Sequence, residues 1–186
     1  MGTRTYKGER DGLDWYVEPE WCIHALLDAE RFDGPILDPA CGCGTIPKVC
    51  REHGYGILAS DIVDRGFPGT VIADFIKKNP WRPVVPSIIC NPPYRHAAEF
   101  VDWAIVLANK VAIIVPQQFP FSQRRHDLFT KNPLARLYFL SNRPSMPPGE
   151  ALRDGTAEAK GGSVDYLWMV WEHGHIGPPT AHWLRK

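Results

Sequence analysis

Two short stretches of this chain hold residue types that can do chemistry together. The first is Asp38-Pro39-Ala40-Cys41-Gly42-Cys43-Gly44-Thr45, an acid followed by a Gly-x-Gly turn. Glycine has no Cβ, so the backbone there can approach a ligand closely. The second is Asn91-Pro92-Pro93-Tyr94. Its prolines lack N–H donors and restrict the backbone, which fixes the direction of the carbonyl groups. The Asn91 side-chain carbonyl and the Pro92 backbone carbonyl are then two hydrogen-bond acceptors of fixed direction, and Tyr94 offers a flat face for stacking.

Other chemistries fit less well. A dinucleotide loop wants a third glycine where Pro47 stands, and the phosphate-loop pattern is absent. Cys41, Cys43 and Cys50 lack the paired spacing of a structural zinc site and read as small residues in a tight loop. His173 and His175 read as a surface pair. No metal is expected.

The elements that must position these residues follow from the apolar pattern. Pro19 to Arg31 reads as a helix, with Pro19 suited to its first turn. Pro35 to Leu37 is a short strand ending at Asp38, and Thr45 to Glu52 is a helix. Ile57 to Ile62, Val71-Ile72 and Ser87 to Cys90 read as strands, followed by a helix over Ala97 to Asn109. Val111 to Val115 is continuously apolar, as a buried parallel strand would be. Ser122 to Thr130 reads as a helix, and Leu137 to Leu140 and Tyr166 to Trp171 as strands. On the last of these, Trp168 and Trp171 are read as sharing one core face. The tail from Glu172 is polar and Pro-rich, with no strand expected. Strands alternating with helices imply a doubly wound α/β domain with a mostly parallel sheet. Ligands bind such sheets beyond the carboxyl ends of the strands. Asp38, Asp61, Asp74 and Asn91 stand at those ends.

The 186 residues, 44% hydrophobic and 23% charged, suit a single soluble globular domain over 1–186. Residues 1–14 read as a flexible arm and 143–163 as a mobile loop. No separate target-recognition domain is evident. No apolar stretch approaches the ~20 residues of a membrane span. The N-terminus has no secretory pattern and the five cysteines are an odd number, so a reducing cytoplasmic setting is expected. The net charge is zero, whereas nucleic-acid binders usually carry a basic excess. Any grip on DNA or RNA must come from a local arrangement or from a partner.

The glycine loop resembles motif I of the class I S-adenosylmethionine-dependent methyltransferases. Asn91-Pro92-Pro93-Tyr94 resembles motif IV, [Asp/Asn/Ser]-Pro-Pro-[Tyr/Phe/Trp], of their amino-methyltransferase branch. Together, in this order and each after an apolar strand, the two motifs are specific. The likeness covers roughly residues 16 to 171 and is greatest to small phage-type DNA adenine N6-methyltransferases. It implies a Rossmann-like fold: a mostly parallel seven-stranded sheet with an antiparallel last strand and helices on both faces.

The same resemblance implies S-adenosylmethionine as cofactor and assigns its contacts. Asp38, Pro39, Ala40, Cys41, Gly42 and Gly44 match the loop around the methionine part. Asp61 and Ile62 match the ribose site, with Asp61 accepting from the hydroxyl groups. Asp74 matches the acceptor for the adenine amino group, beside Phe75, which packs on the ring. Tyr16-Val17-Glu18-Pro19 resembles motif X, in which Tyr16 and Pro19 fit and Glu18 stands where threonine is usual. Val115 to Phe119 lies where motif VI is carried. Asn91, Pro92, Pro93 and Tyr94 are the implied catalytic residues, with Asn91 also near the cofactor.

The implied reaction is methyl transfer to an exocyclic amino group, with N6 of adenine in DNA as the expected target. The alternatives are amines of RNA bases, protein glutamine, or a non-catalytic partner subunit with this fold. Arg124, Arg125 and Arg143, with Phe119 upstream, read as a surface that tracks a phosphate backbone; the competing reading is a solvated helix face. A homodimer or a separate specificity subunit is left open.

Overall fold

The computed structural model describes residues 15–77, 85–157 and 161–186, apart from the side chain of Arg124. The arm expected at 1–14 lies outside the described residues. Eight strands form one sheet: β1 (Ile36–Asp38), β2 (Ile57–Asp61), β3 (Val71–Ile72), β4 (Val85–Cys90), β5 (Ala108–Pro116), β6 (Arg136–Leu140), β7 (Tyr166–Glu172) and β8 (Thr180–Leu184). Their spatial order is β3-β2-β1-β4-β5-β7-β6-β8. Pairing is parallel from β3 to β5, and β7 runs antiparallel to both of its neighbours.

The order reverses around β1. From there the chain steps outward to β2 and β3, then returns to place β4 on the other side. The crevice at that switch lies beyond the carboxyl ends of β1 and β4. Asp38 closes β1 and Asn91 follows β4, so both chemical motifs meet there.

Helices cover both faces. On one face α1 (Glu20–Ala29) and α2 (Thr45–Glu52) bury Ile23, Leu26, Leu27, Ile46 and Val49 against Ile89, Ile114 and Trp168. On the other, α3 (Ala97–Leu107) and α4 (His126–Lys131) bury Phe100, Val101, Ala104 and Leu128 against Ile88, Ile113 and Trp171. β5 serves both layers, because successive side chains on a strand point to opposite faces. Val111, Ile113 and Val115 enter one core, and Ala112 and Ile114 the other.

The structure corrects several expectations. Among the described residues the sheet has eight strands where seven were expected, and the last is β8, which runs parallel to β6. The strand at Tyr166 is antiparallel as expected. β8 was hidden because it lies in a polar tail at the sheet edge and pairs on one side only. Its ring contacts are non-local: Trp183 stacks on Phe139 with centroids 5.5 Å apart, and His182 on Tyr138 at 5.1 Å. Trp168 and Trp171 do not share a face. They are three apart on an element of period two, so they point to opposite layers. Trp168 Nε1 donates to the Cys22 carbonyl (3.0 Å), and Trp171 Nε1 to the Asn132 carbonyl (3.1 Å).

Two further segments differ in form. The helix expected at 122–130 is a 3-10 turn, Gln123–Arg125, leading into α4. Within 143–163, read as a mobile loop, the described residues include α5 (Gly149–Arg153) and hydrogen-bond to residues 15–17, while 158–160 lie outside the described residues. Val17 N–H donates to the Pro147 carbonyl and Gly149 N–H to the Trp15 carbonyl, both at 3.0 Å. Among the described residues, no helix is long and apolar enough to cross a membrane.

Candidate active site

The glycine loop leaves β1 at Asp38, whose Oδ1 accepts from Ala40 N–H (3.2 Å). Cys41 N–H donates to the Ser60 carbonyl on β2 (2.9 Å). Gly42 N–H donates to Asp61 Oδ2 (2.9 Å), which ties the loop to the end of β2. Gly42 and Gly44 have φ of +54° and +90°, a region that side chains disfavour. A Cβ at Gly44 would lie 1.9 Å from Cδ2 of Phe67, and one at Gly42 2.9 Å from Cε3 of Trp15. The glycines therefore serve ring packing as well as the turn.

A cavity of about 430 Å³ opens over this loop. That is within the ~300–1,000 Å³ usual for small-molecule sites. Most of the residues singled out from sequence meet there. Pro39, Ala40, Cys41 and Gly42 form its floor, with Tyr16 on one side. Asp61 and Ile62 come from the end of β2, Asp74 and Phe75 from beyond β3, and Asn91, Pro92 and Pro93 from beyond β4. Phe75 is buried, with its ring 5.0 Å from that of Phe100. Asp74 also works locally, since its Oδ1 accepts from the N–H groups of Ile76 and Lys77 (both 3.1 Å).

Four expected residues stand behind the wall. Pro19 precedes α1, Asp38 is buried beneath the loop, and Gly44 opens α2. Tyr94 stacks on Tyr16, with centroids 5.4 Å apart and planes at 14°, and its ring lies 6.0 Å from that of Tyr166. The Tyr94 face expected to receive a base is covered by Tyr16.

Asn91 has the most informative environment. Its Nδ2 donates to Glu18 Oε2 (2.8 Å) and to the Tyr16 carbonyl (3.1 Å). Its Oδ1 is buried and has no partner. A backbone carbonyl only accepts, so the nitrogen must face it and the oxygen is the free atom.

Two carboxyls gather beneath this amide. Glu18 is 7% exposed. Burial pushes its pKa from the usual 4.5 up to about 7, although the Asn91 hydrogen bond opposes the shift. Asp38 is pushed well above its usual value by burial and then by the nearby Glu18 charge. Both shifts mark a shortage of positive charge. A cationic ligand would relieve it.

Sequence reasoning missed three residues here. In the sequence Glu18 is marked only by standing where the resembled motif has threonine. Trp15 lines the cavity and packs against Gly42 and Gly149. The Arg65 guanidinium lies 4.8 Å over the Trp15 ring and pairs with Asp61 (3.5 Å). Only the position of Trp15 beside Tyr16 could have flagged it.

Phe119, Arg125 and Arg143, read from sequence as a surface that tracks a phosphate backbone, do not line the cavity. Phe119 is buried in the core. Arg125 donates to the Phe119 carbonyl (2.7 Å) and lies 4.4 Å over its ring. Arg143 pairs with Asp165 (2.8 Å). These side chains are occupied by partners within the chain. The Arg124 side chain lies outside the described residues.

No protein-family model matches the sequence, and no curated protein sequence matches it. Solved structures do. A candidate RNA methyltransferase from Pyrococcus horikoshii superposes with a TM-score of 0.66 at 15% identity, over 91% of each chain. The modification subunit of a candidate type I restriction enzyme from Vibrio vulnificus gives 0.63 at 14% identity, over 88% of this chain and 45% of that one. The M protein of the type I restriction enzyme EcoKI gives 0.58 at 15% identity, over 95% and 50%. This chain thus spans about half the length of the two restriction-system subunits. At these identities the likeness establishes the fold, which is that of the Rossmann-like methyltransferases.

Proposed function

We propose that this chain is an S-adenosylmethionine-dependent methyltransferase that modifies an exocyclic amino group, with N6 of adenine in DNA as its target. The observation that carries the reading is the orphaned, buried Oδ1 of Asn91 at the cavity wall, beside Pro92. A buried acceptor without a partner costs about 1–3 kcal/mol. A substrate N–H would satisfy it.

The cavity fits the cofactor. S-adenosylmethionine supplies an electrophilic methyl group on a sulfonium, and its methionine part carries an ammonium. The pushed-up carboxyls of Glu18 and Asp38 suit those positive charges. Asp61 and Asp74, at the ends of neighbouring strands, suit the hydroxyl and amino groups of a nucleoside. Phe75 lines the cavity with them.

The chain's own contribution is orientation and electrostatics. Asn91 Oδ1 and the Pro92 carbonyl accept from the two N–H groups of the target amine. That holds its lone pair out of conjugation and turned toward the cavity. Tyr94 braces Tyr16, and so supports the backbone carbonyl that orients Asn91.

RNA is the second reading of the substrate. It is favoured by the mutual coverage with the Pyrococcus protein. Since Arg125 and Arg143 are occupied internally, we take the grip on nucleic acid to come from a second copy or a separate subunit. The five cysteine thiols fit a cytoplasmic setting.

The test is labelling with tritiated S-adenosylmethionine, in separate reactions with unmethylated duplex DNA, single-stranded DNA, RNA and a protein extract. The expected product is N6-methyladenine in DNA, lost in Asn91→Ala. Label confined to RNA or protein would replace the substrate. Absence of cofactor binding would overturn the reading of the cavity.

A further inference from the structure

We propose that Glu18 is a positioning residue: by accepting from Asn91 Nδ2 it holds the side-chain amide with Oδ1 turned to the cavity. The proposal rests on the reading of Asn91 as acceptor for the target amine. A primary amide is nearly symmetric in shape, so packing alone does not choose between its oxygen and its nitrogen. Hydrogen-bond partners must choose. Here two acceptors meet one nitrogen, the Glu18 carboxylate at 2.8 Å and the Tyr16 carbonyl at 3.1 Å. An ionised carboxylate only accepts, whereas the hydroxyl usual in the resembled motif both donates and accepts. With threonine at this position the Tyr16 carbonyl alone would select the nitrogen; the Glu18 carboxylate adds a second, charge-assisted acceptor on the same side.

The surroundings of Glu18 make this control depend on its charge. Its charge acts on Cys22 on α1, Asp38 at the end of β1, Cys43 in the glycine loop, Cys90 at the end of β4, and Tyr94. None of these is cationic, and the pKa of Glu18 rises to about 7. A protonated Glu18 gains an O–H donor, which can engage the Asn91 oxygen instead. Orientation is therefore fixed above this pKa and loosened below it. A bound cation extends the fixed range to lower pH.

The experiment uses the full chain labelled with 15N-asparagine. There are five asparagines, so five side-chain amide pairs are expected, and Asn91→Ser identifies the relevant one. In wild type the Asn91 pair should shift with pH, with a midpoint near 7. In Glu18→Gln, which keeps an acceptor but does not titrate, that dependence should vanish while the pair stays dispersed. In Glu18→Ala the pair should move toward the solvent-exposed position. A pair that ignores pH in wild type and is unchanged in both variants would overturn the proposal.

Labelling assays supply a second readout. Glu18→Ala should lower kcat about 10²-fold, the scale of a small misplacement, with a smaller rise in KM for S-adenosylmethionine from the lost carboxylate. Glu18→Gln should recover most of that loss and flatten the pH profile. A rise confined to KM, with kcat unchanged, would argue for plain ligand binding and against positioning. The spectra decide the role of Glu18. If they behave as expected while wild type binds no S-adenosylmethionine, the methyltransferase reading falls and the orientation of Asn91 by Glu18 stands.

Discussion

Glu18 and Glu30 flank the same helix and are buried alike, at 7% and 6% exposure, yet their environments differ in kind. Glu30 follows α1 at the foot of the sheet. It accepts from Lys110 Nζ (3.0 Å), from the Arg136 guanidinium and from Tyr138 Oη (2.8 Å). Glu172 completes the cluster by pairing with both cations. These partners outweigh burial and hold the Glu30 carboxyl below its usual range. Glu18 precedes α1 at the cavity end and receives an amide N–H where Glu30 has two cations. Its pKa is pushed up. One end of the helix is electrostatically complete and serves the fold. The other is left short of positive charge, which is where a ligand can contribute.

Removing the complete end should have the largest effect. Glu30→Ala leaves Lys110 and Arg136 partly unpaired, and breaking a buried pair typically costs about 3–5 kcal/mol. Urea unfolding should show that loss with the cavity still able to bind S-adenosylhomocysteine. A change under 1 kcal/mol would mean that Glu172 alone holds the cluster.

At the incomplete end, Asn91→Ala should cost catalysis and spare the fold. A single preorganised hydrogen-bonding group is worth about 10²–10³ in kcat. Single-turnover labelling measures this, and retention of half the wild-type rate would remove Asn91 from the chemistry.

The two carboxyls should also give opposite pH dependences. A carboxylate with a raised folded pKa binds its proton more tightly in the folded state. Glu18 thus makes stability fall as pH rises from 4.5 to about 7. The shift corresponds to about 3 kcal/mol across that window. Glu30, with a lowered folded pKa, contributes stability above its unfolded value and loses it as pH falls through its folded value. Unfolding of Glu18→Gln at pH 4.5, 6 and 8 should therefore gain on wild type as pH rises. Parallel profiles would show that Glu18 is not desolvated. S-adenosylmethionine should shrink the gap by supplying charge.

The smallest effect is expected at the surface. Arg143 and Asp165 form an exposed pair, at 59% and 44% side-chain exposure, and solvent screens such pairs so that they add little to stability. Arg143→Ala should leave the urea midpoint essentially unchanged. A large loss of nucleic-acid retention in a filter assay would restore the phosphate-tracking role that the ion pair argues against.

Much of the cavity was legible because its parts are local. Asp38 to Gly44 is one continuous turn, and Asn91 to Pro93 is another. Apolar runs before each marked the strands that deliver them. Less was legible where partners are distant in sequence. Trp15 meets Gly149, and Tyr16 covers Tyr94. Phe119 reads as an exposed aromatic beside arginines, but it is core, because α4 and β7 close over it. β8 has no internal signature strong enough to announce it, since an edge strand in a polar tail is stabilised by the ladder it joins.

The sequence by itself determined the turns, the order of the elements and the residue types placed at the strand ends, since these depend on neighbours along the chain. It did not determine that Asn91 presents its oxygen or that Glu18 and Glu30 take opposite charge preferences. Those depend on desolvation and on partners that only folding brings within 3 Å. Glu18 reaches Asn91 across 73 residues and Glu30 reaches Arg136 across 106. The tertiary structure therefore decided which buried carboxylate is neutralised by the fold and which is left for a ligand.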